Sequence, residues 1–113
     1  MNKIAELKNP RLREALEAVK AEVRRIAGDD TRLIVYGSYA RGEEHEDSDV
    51  DLMVVLPDAL KTFENEDRLR EAIYDIGFDN GFVISVLVAS ESHVRNMKGF
   101  MVYGSVEKEG VFL

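Results

Sequence analysis

Tyr36-Gly-Ser-Tyr-Ala-Arg-Gly-Glu-Glu-His-Glu-Asp-Ser-Asp-Val-Asp-Leu52 joins two apolar runs, and the way it joins them sets the architecture. Before it stands Leu33-Ile34-Val35-Tyr36, which reads as a buried strand ending in Gly37-Ser38. After it comes Leu52-Met53-Val54-Val55-Leu56, a second strand that Asp49-Val50-Asp51 opens. Side chains alternate across a strand, so Asp49 and Asp51 point the same way, roughly 6–7 Å apart. Two carboxylates on one face of a buried strand repel each other and lose solvation. A cation bound between them removes both penalties. A lone D-x-D is often only a strand end with two solvated acids. The pairing with Gly-Ser argues against that here, because G-S-x10-D-x-D should arise by chance in about one chain in a thousand of this length.

Working outward, Asn9-Pro10 suits a helix start, with Asn as cap and Pro in the first turn. Leu12, Leu16, Val19, Val23 and Ile26 recur at helical spacing until Gly28, and that stripe reads as core. The strand Arg32 to Tyr36 follows, then a short helix from about Tyr39 to Gly42 and a polar loop. The second strand, Asp49 to Leu56, stops at Pro57. The pattern from Asp58 to Asp79 is helical, though weak before Asn65. Asn80-Gly81 turns the chain into a third strand, Phe82 to Val88. Ser90-Glu91-Ser92 offers a cap for a helix towards Met97, and Lys98 to Ser105 fits no pattern clearly. The expectation is an α/β (α+β) fold, a small mixed sheet with flanking helices, in one domain over 1–113. Tyr103-Gly104-Ser105 repeats Tyr36-Gly37-Ser38, yet only eight residues follow it, too few for a D-x-D at the same distance.

Composition narrows the partners. The chain has no cysteine, so it holds no disulfide framework and no thiolate chemistry. Phe82 to Ala89, its longest near-apolar stretch, falls far short of the ~20 residues that cross a bilayer. The start lacks a signal-peptide apolar core, so a soluble, cytoplasmic protein with no membrane partner is expected. Its 15 Lys and Arg are scattered among 22 Asp and Glu, for a net charge of −7. Nucleic-acid binding draws its affinity from basic groups, so direct binding to DNA or RNA is not expected.

Gly37-Ser38-x10-Asp49-x-Asp51, with GSYARG and SDVDL around it, resembles the signature of the DNA-polymerase-β-like nucleotidyltransferases. More narrowly, the chain resembles the minimal nucleotidyltransferases, often encoded beside a HEPN-domain partner. The motif is highly specific, whereas the later segments match only in order and length. The resemblance implies Mg²⁺ held by Asp49 and Asp51, a nucleoside triphosphate cradled by Gly37 and Ser38, and Arg41 reaching the triphosphate. For Arg41 a surface pair with Glu43 or Glu44 is an equal alternative. It further implies transfer of AMP from ATP to a hydroxyl, foremost a tyrosine on a HEPN-domain toxin, with this chain as antitoxin. The chain lacks the R-x4–6-H of a HEPN ribonuclease and is too short for an extra acceptor-binding domain. A second pocket for the acceptor is therefore not expected.

Two rival readings stand beside this one: a nucleotidyltransferase acting on a small molecule of the aminoglycoside type, and a module that neutralises a partner by contact alone. The family usually carries a third carboxylate on a later strand, and here Ser85 aligns with it. Serine cannot act as a carboxylate, so Asp79, Glu91 or another acid substitutes, or two acids work slowly, or catalysis is lost. His45, in a charged loop, reads as exposed and idle, and Ser48 as a hydrogen bonder at strand entry. Assembly with itself or with a partner is left open by the sequence.

Overall fold

Asn9 starts the first long helix as its sequence implies. In a computed structural model, which describes residues 2–45, 47–97, 104, 106 and 108–113, α1 runs over Pro10–Ala27. The Asn9 side chain accepts from the backbone N–H of Arg11 and Leu12, at 3.0 and 3.2 Å. Gly28 ends the helix at a positive φ of 90°, its N–H donating to the Arg24 carbonyl. Leu12, Ala15, Leu16, Val19, Val23 and Ala27 form its buried stripe.

The strands are β1 (Asn2–Lys3), β2 (Arg32–Tyr36), β3 (Val50–Leu56), β4 (Ile84–Ser90) and β5 (Val111–Phe112). They make one mixed sheet in the order β1-β5-β2-β3-β4. β2 and β3 are antiparallel, with Tyr36 opposite Asp51 and Arg32 opposite Val55. β4 runs parallel to β3, with Asp51 beside Ser85. The parallel pair needs a crossover, which α3 (Phe63–Asp79) supplies. Two short helices complete the set, α2 (Ser38–Arg41) and α4 (Glu91–Asn96).

Each face of the sheet has its own core. Leu33, Val35, Leu52, Val54, Leu56 and Val88 pack with Leu12, Leu16 and Val19 of α1 and Leu69 and Ile73 of α3. On the other face Ile34, Met53, Val55 and Val106 form a smaller cluster, joined by Tyr36, Leu87, Val94 and Phe112. β3 lies at the centre, and from Leu52 to Leu56 it is buried on both sides.

The expected α/β class holds, and the departures are local. Asp49 lies just outside β3, although the Val50 N–H bonds to the Val83 carbonyl at 2.9 Å and continues the ladder. The helix expected over Asp58 to Asp79 is broken into a 3₁₀ turn at Asp58–Leu60 and then α3. Thr62 makes the break, because its hydroxyl accepts from the Asn65 N–H and caps α3 there. β4 begins two residues late, since the Phe82 N–H is bonded to the Gly77 carbonyl at the end of α3. Ser90 caps α4 through the His93 N–H, as expected. β1 was not anticipated. Of the second Tyr-Gly-Ser, Tyr103 and Ser105 lie outside the described residues, as does most of Lys98 to Ser105, while Gly104 is helical.

Candidate active site

The turn from β2 into α2 is built around Gly37. Its φ of 74° and ψ of −153° belong to a region essentially only glycine occupies. A β-carbon placed there would overlap Asp51 Oδ2 and come within 3.3 Å of the Asp51 carboxyl carbon. The phosphate-cradle candidate and the carboxylate candidate are therefore in direct contact. Ser38 opens α2, and Gly42, also at positive φ, closes it.

Asp49 is exposed and Asp51 half-buried, while Val50 between them faces the core. Burial, then the neighbouring Asp49 charge, pushes the Asp51 carboxyl above its ordinary pKa, against the opposing pull of Arg41. Asp49, just outside β3, thus acts on Asp51 through its charge. Ser85, exposed beside Asp51, brings no third carboxylate to that place. Glu91 does not substitute: Arg32 grips it with two bonds of 3.0 and 2.9 Å, and it follows Ser90, which pairs with Leu56 at the other end of β3. Among the described residues no three His, Cys, Asp or Glu side chains come close enough together to hold a metal ion.

Arg41 takes the surface alternative, at least in part. Its guanidinium bonds Glu43 at 2.9 Å and Glu109 at 3.1 Å, and these two bonds raise its pKa. Ser48 accepts from the His45 N–H at 2.8 Å and donates its own N–H to the His45 carbonyl at 3.0 Å, which closes the loop before Asp49.

A recess of about 690 Å³ opens beside Asp49. Glu44, Asp47 and Asp49 line one part of it, and Arg11, Asn80 and Gly81 another. Tyr39 and Phe82 form its aromatic wall, edge to face at 6.2 Å and 80°. Burial, then Glu44 and Asp49, raises the Tyr39 pKa. Arg11 is tied to the Asn80 carbonyl at 3.1 Å, which fixes the end of α3 against the start of α1. Sequence reasoning missed this recess because its walls come from four separate segments. Tyr39 and the stretch from Glu44 to Asp49 lay inside the motif, but Asn9, Arg11 and Asn80 to Val83 did not.

This geometry has relatives. The family described as nucleotidyltransferase domain matches residues 12–113. The chain belongs to that family. Two proteins of Methanocaldococcus jannaschii, "Putative protein adenylyltransferase MJ1215" and "Putative protein adenylyltransferase MJ0128", are 50% and 46% identical to it over 44 residues. Each alignment takes in 36% of this chain and 51% or 45% of the relative, so the match spans about half their length. A solved "putative minimal nucleotidyltransferase" is 30% identical, with a TM-score of 0.62 over 90% of this chain and 92% of its own. A crystal structure of a "toxin-antitoxin with AMP-PNP" shares the fold at 16% identity, with a TM-score of 0.54 over 85% and 70%. Among the described residues no helix is long and apolar enough to cross a membrane.

Proposed function

We propose that this nucleotidyltransferase-family chain transfers AMP from ATP to a hydroxyl, with Mg²⁺ held by Asp49 and Asp51. The observation that carries the reading is the contact of Gly37 with Asp51, beside an exposed Asp49. It joins a backbone that tolerates no β-carbon to a pair of oxygen donors in need of a cation. Mg²⁺ takes hard oxygen ligands and commonly uses one or two carboxylates plus substrate phosphates, so two acids suffice as its protein anchor. When bound, the metal would neutralise charge developing on the attacking and leaving oxygens.

The chain's own residues divide the work. Gly37 lets a triphosphate approach the backbone, and Ser38 offers it a hydroxyl. Arg41, close enough to influence Asp51, is the cation we assign to the leaving pyrophosphate. In the reaction the acceptor oxygen bonds to the α-phosphorus as the bond to pyrophosphate breaks, and its hydroxyl proton leaves to solvent. We assign the acceptor to the recess beside Asp49.

The acceptor we favour is a tyrosine on a HEPN-domain toxin, with this chain as its cytoplasmic antitoxin. The protein adenylyltransferase names of the Methanocaldococcus relatives support a protein acceptor, and the HEPN toxin is what the resemblance to the minimal nucleotidyltransferases implies. A small cationic acceptor is the second reading, favoured by Glu44, Asp47 and Asp49 around the recess. The test is intact-mass spectrometry of the chain, ATP and Mg²⁺ with a genomically neighbouring HEPN protein. One or more AMP masses on a HEPN tyrosine are expected, and none with Asp49→Asn/Asp51→Asn. Binding and silencing of the toxin without a mass gain would replace transfer with neutralisation by contact. A labelled aminoglycoside instead of a labelled toxin would favour the second reading.

A further inference from the structure

The outward face of α3 carries three aromatic side chains that the fold leaves uncovered. Phe63 is 81% exposed, Phe78 65% and Tyr74 52%. They stand eleven and then four residues apart, whole-turn spacings that place them in one stripe along the helix. Tyr74 and Phe78 stack at 6.1 Å, 15° from parallel. Leu69 and Ile73, on the other side of the helix, are fully buried, so the stripe is surplus to the core. Exposed rings of this size in a row are unusual on a surface that has no partner.

What surrounds the rings is acidic. Glu64, Asp67, Glu71 and Asp75 are exposed on the same outward side, and they make no ion pair among the described residues. The basic residues of α3 are Arg68 and Arg70. Arg70 is committed to the Val86 carbonyl at 2.7 Å and lies 3.8 Å from Glu66, which also pairs with Lys61. Rings bordered by unpaired carboxylates favour cations that can lie over a ring face and still reach an acid.

We propose that the outer face of α3 docks a partner-protein segment that presents Arg or Lys beside apolar side chains. Charge complementarity selects this occupant. A second copy of the chain would bring the same four carboxylates against themselves on a protein of net charge −7. Nucleic acid and anionic lipid are repelled for the same reason. The stripe lies on the helix that packs against the sheet face opposite Asp51, so the surface stands whether or not the chain transfers AMP.

The test uses a fluorescent amphipathic peptide of about 18 residues, long enough for five helical turns, built from Leu, Lys and Arg. Its counterpart has Glu at every basic position. Polarisation should show the basic peptide binding and its Glu counterpart at least about tenfold weaker. Tyr74→Ser/Phe78→Ser should weaken binding by about tenfold or more, as loss of anchor rings does. Asp67→Asn/Glu71→Gln should weaken it and flatten its salt dependence. Glu17→Gln, at an exposed position of α1, should change nothing. Thermal melts confirm that each variant is folded. Absence of binding, or equal binding by the Tyr74→Ser/Phe78→Ser variant, would overturn the proposal. So would light scattering that shows a dimer which those same substitutions dissolve.

Discussion

At Asp51, burial and the Asp49 charge both favour the protonated acid. Its folded pKa therefore lies above the unfolded one, so the folded state holds more protons through that interval. Stability from this group is fully present below the ordinary carboxylate range and is lost as pH rises through the raised pKa. At pH 7 ionised Asp51 weakens the apo fold. Asp51→Asn should accordingly raise the Tm at pH 7, and the gain should shrink towards pH 4. Scanning calorimetry across that range decides it, and an unchanged or lower Tm at pH 7 counts against the tension described here. Gly37 makes the complementary case. Gly37→Ala forces a β-carbon into a glycine-only backbone region and against Asp51, which should cost about 1–3 kcal/mol of stability. It should also weaken Mg²⁺–ATP binding in calorimetric titration, and wild-type affinity would detach Gly37 from the phosphate.

Among the elements, α3 shows what one hydroxyl decides. The run from Asp58 to Asp79 reads as a single helix because its early residues neither fit nor forbid the pattern. Thr62 caps from within that run, and the signal was there in the Thr62 and Asn65 spacing. Thr62→Ala should cost about 1 kcal/mol in urea denaturation, the usual value of such a cap. No loss would mean that packing alone fixes where α3 starts. α1 was legible at both ends, because Asn9-Pro10 and Gly28 act through their own backbone geometry. β4 was displaced because Phe82 answers to Gly77, a tertiary claim on its N–H that no local pattern reveals. β1 escaped notice for a related reason: two residues become a strand only by pairing with β5, more than 100 positions away.

Over the whole molecule, the motif was legible and its surroundings were not. Asp49, Asp51, Gly37 and Ser38 are near in sequence, so strand alternation and turn chemistry suffice to bring them together. Arg41 is held by Glu109, 68 residues later, and the recess draws on α1, the α2 turn, the loop before β3 and the end of α3. Those meetings depend on how the helices pack on the sheet. The missing acid at Ser85 was legible, and the pairing of Ser85 with Asp51 gives it a physical place. If the proposed transfer runs on two acids, positioning of the acceptor would have to supply more of the rate, and good orientation is worth up to roughly 7–11 kcal/mol.

One consequence follows from where β3 lies. It is hydrogen-bonded to a strand on each side, and its apolar residues are sealed on both faces. Opening it means opening the whole domain, so its amides should rank among the slowest to exchange with solvent. Asp51 is the second residue of that strand and Asp49 the residue just before it. The acids therefore hang from the stiffest girder of the molecule at the point where it emerges into water. Their spacing is inherited from the global stability of the fold, whereas the loops that lead to them can vary in shape without disturbing it.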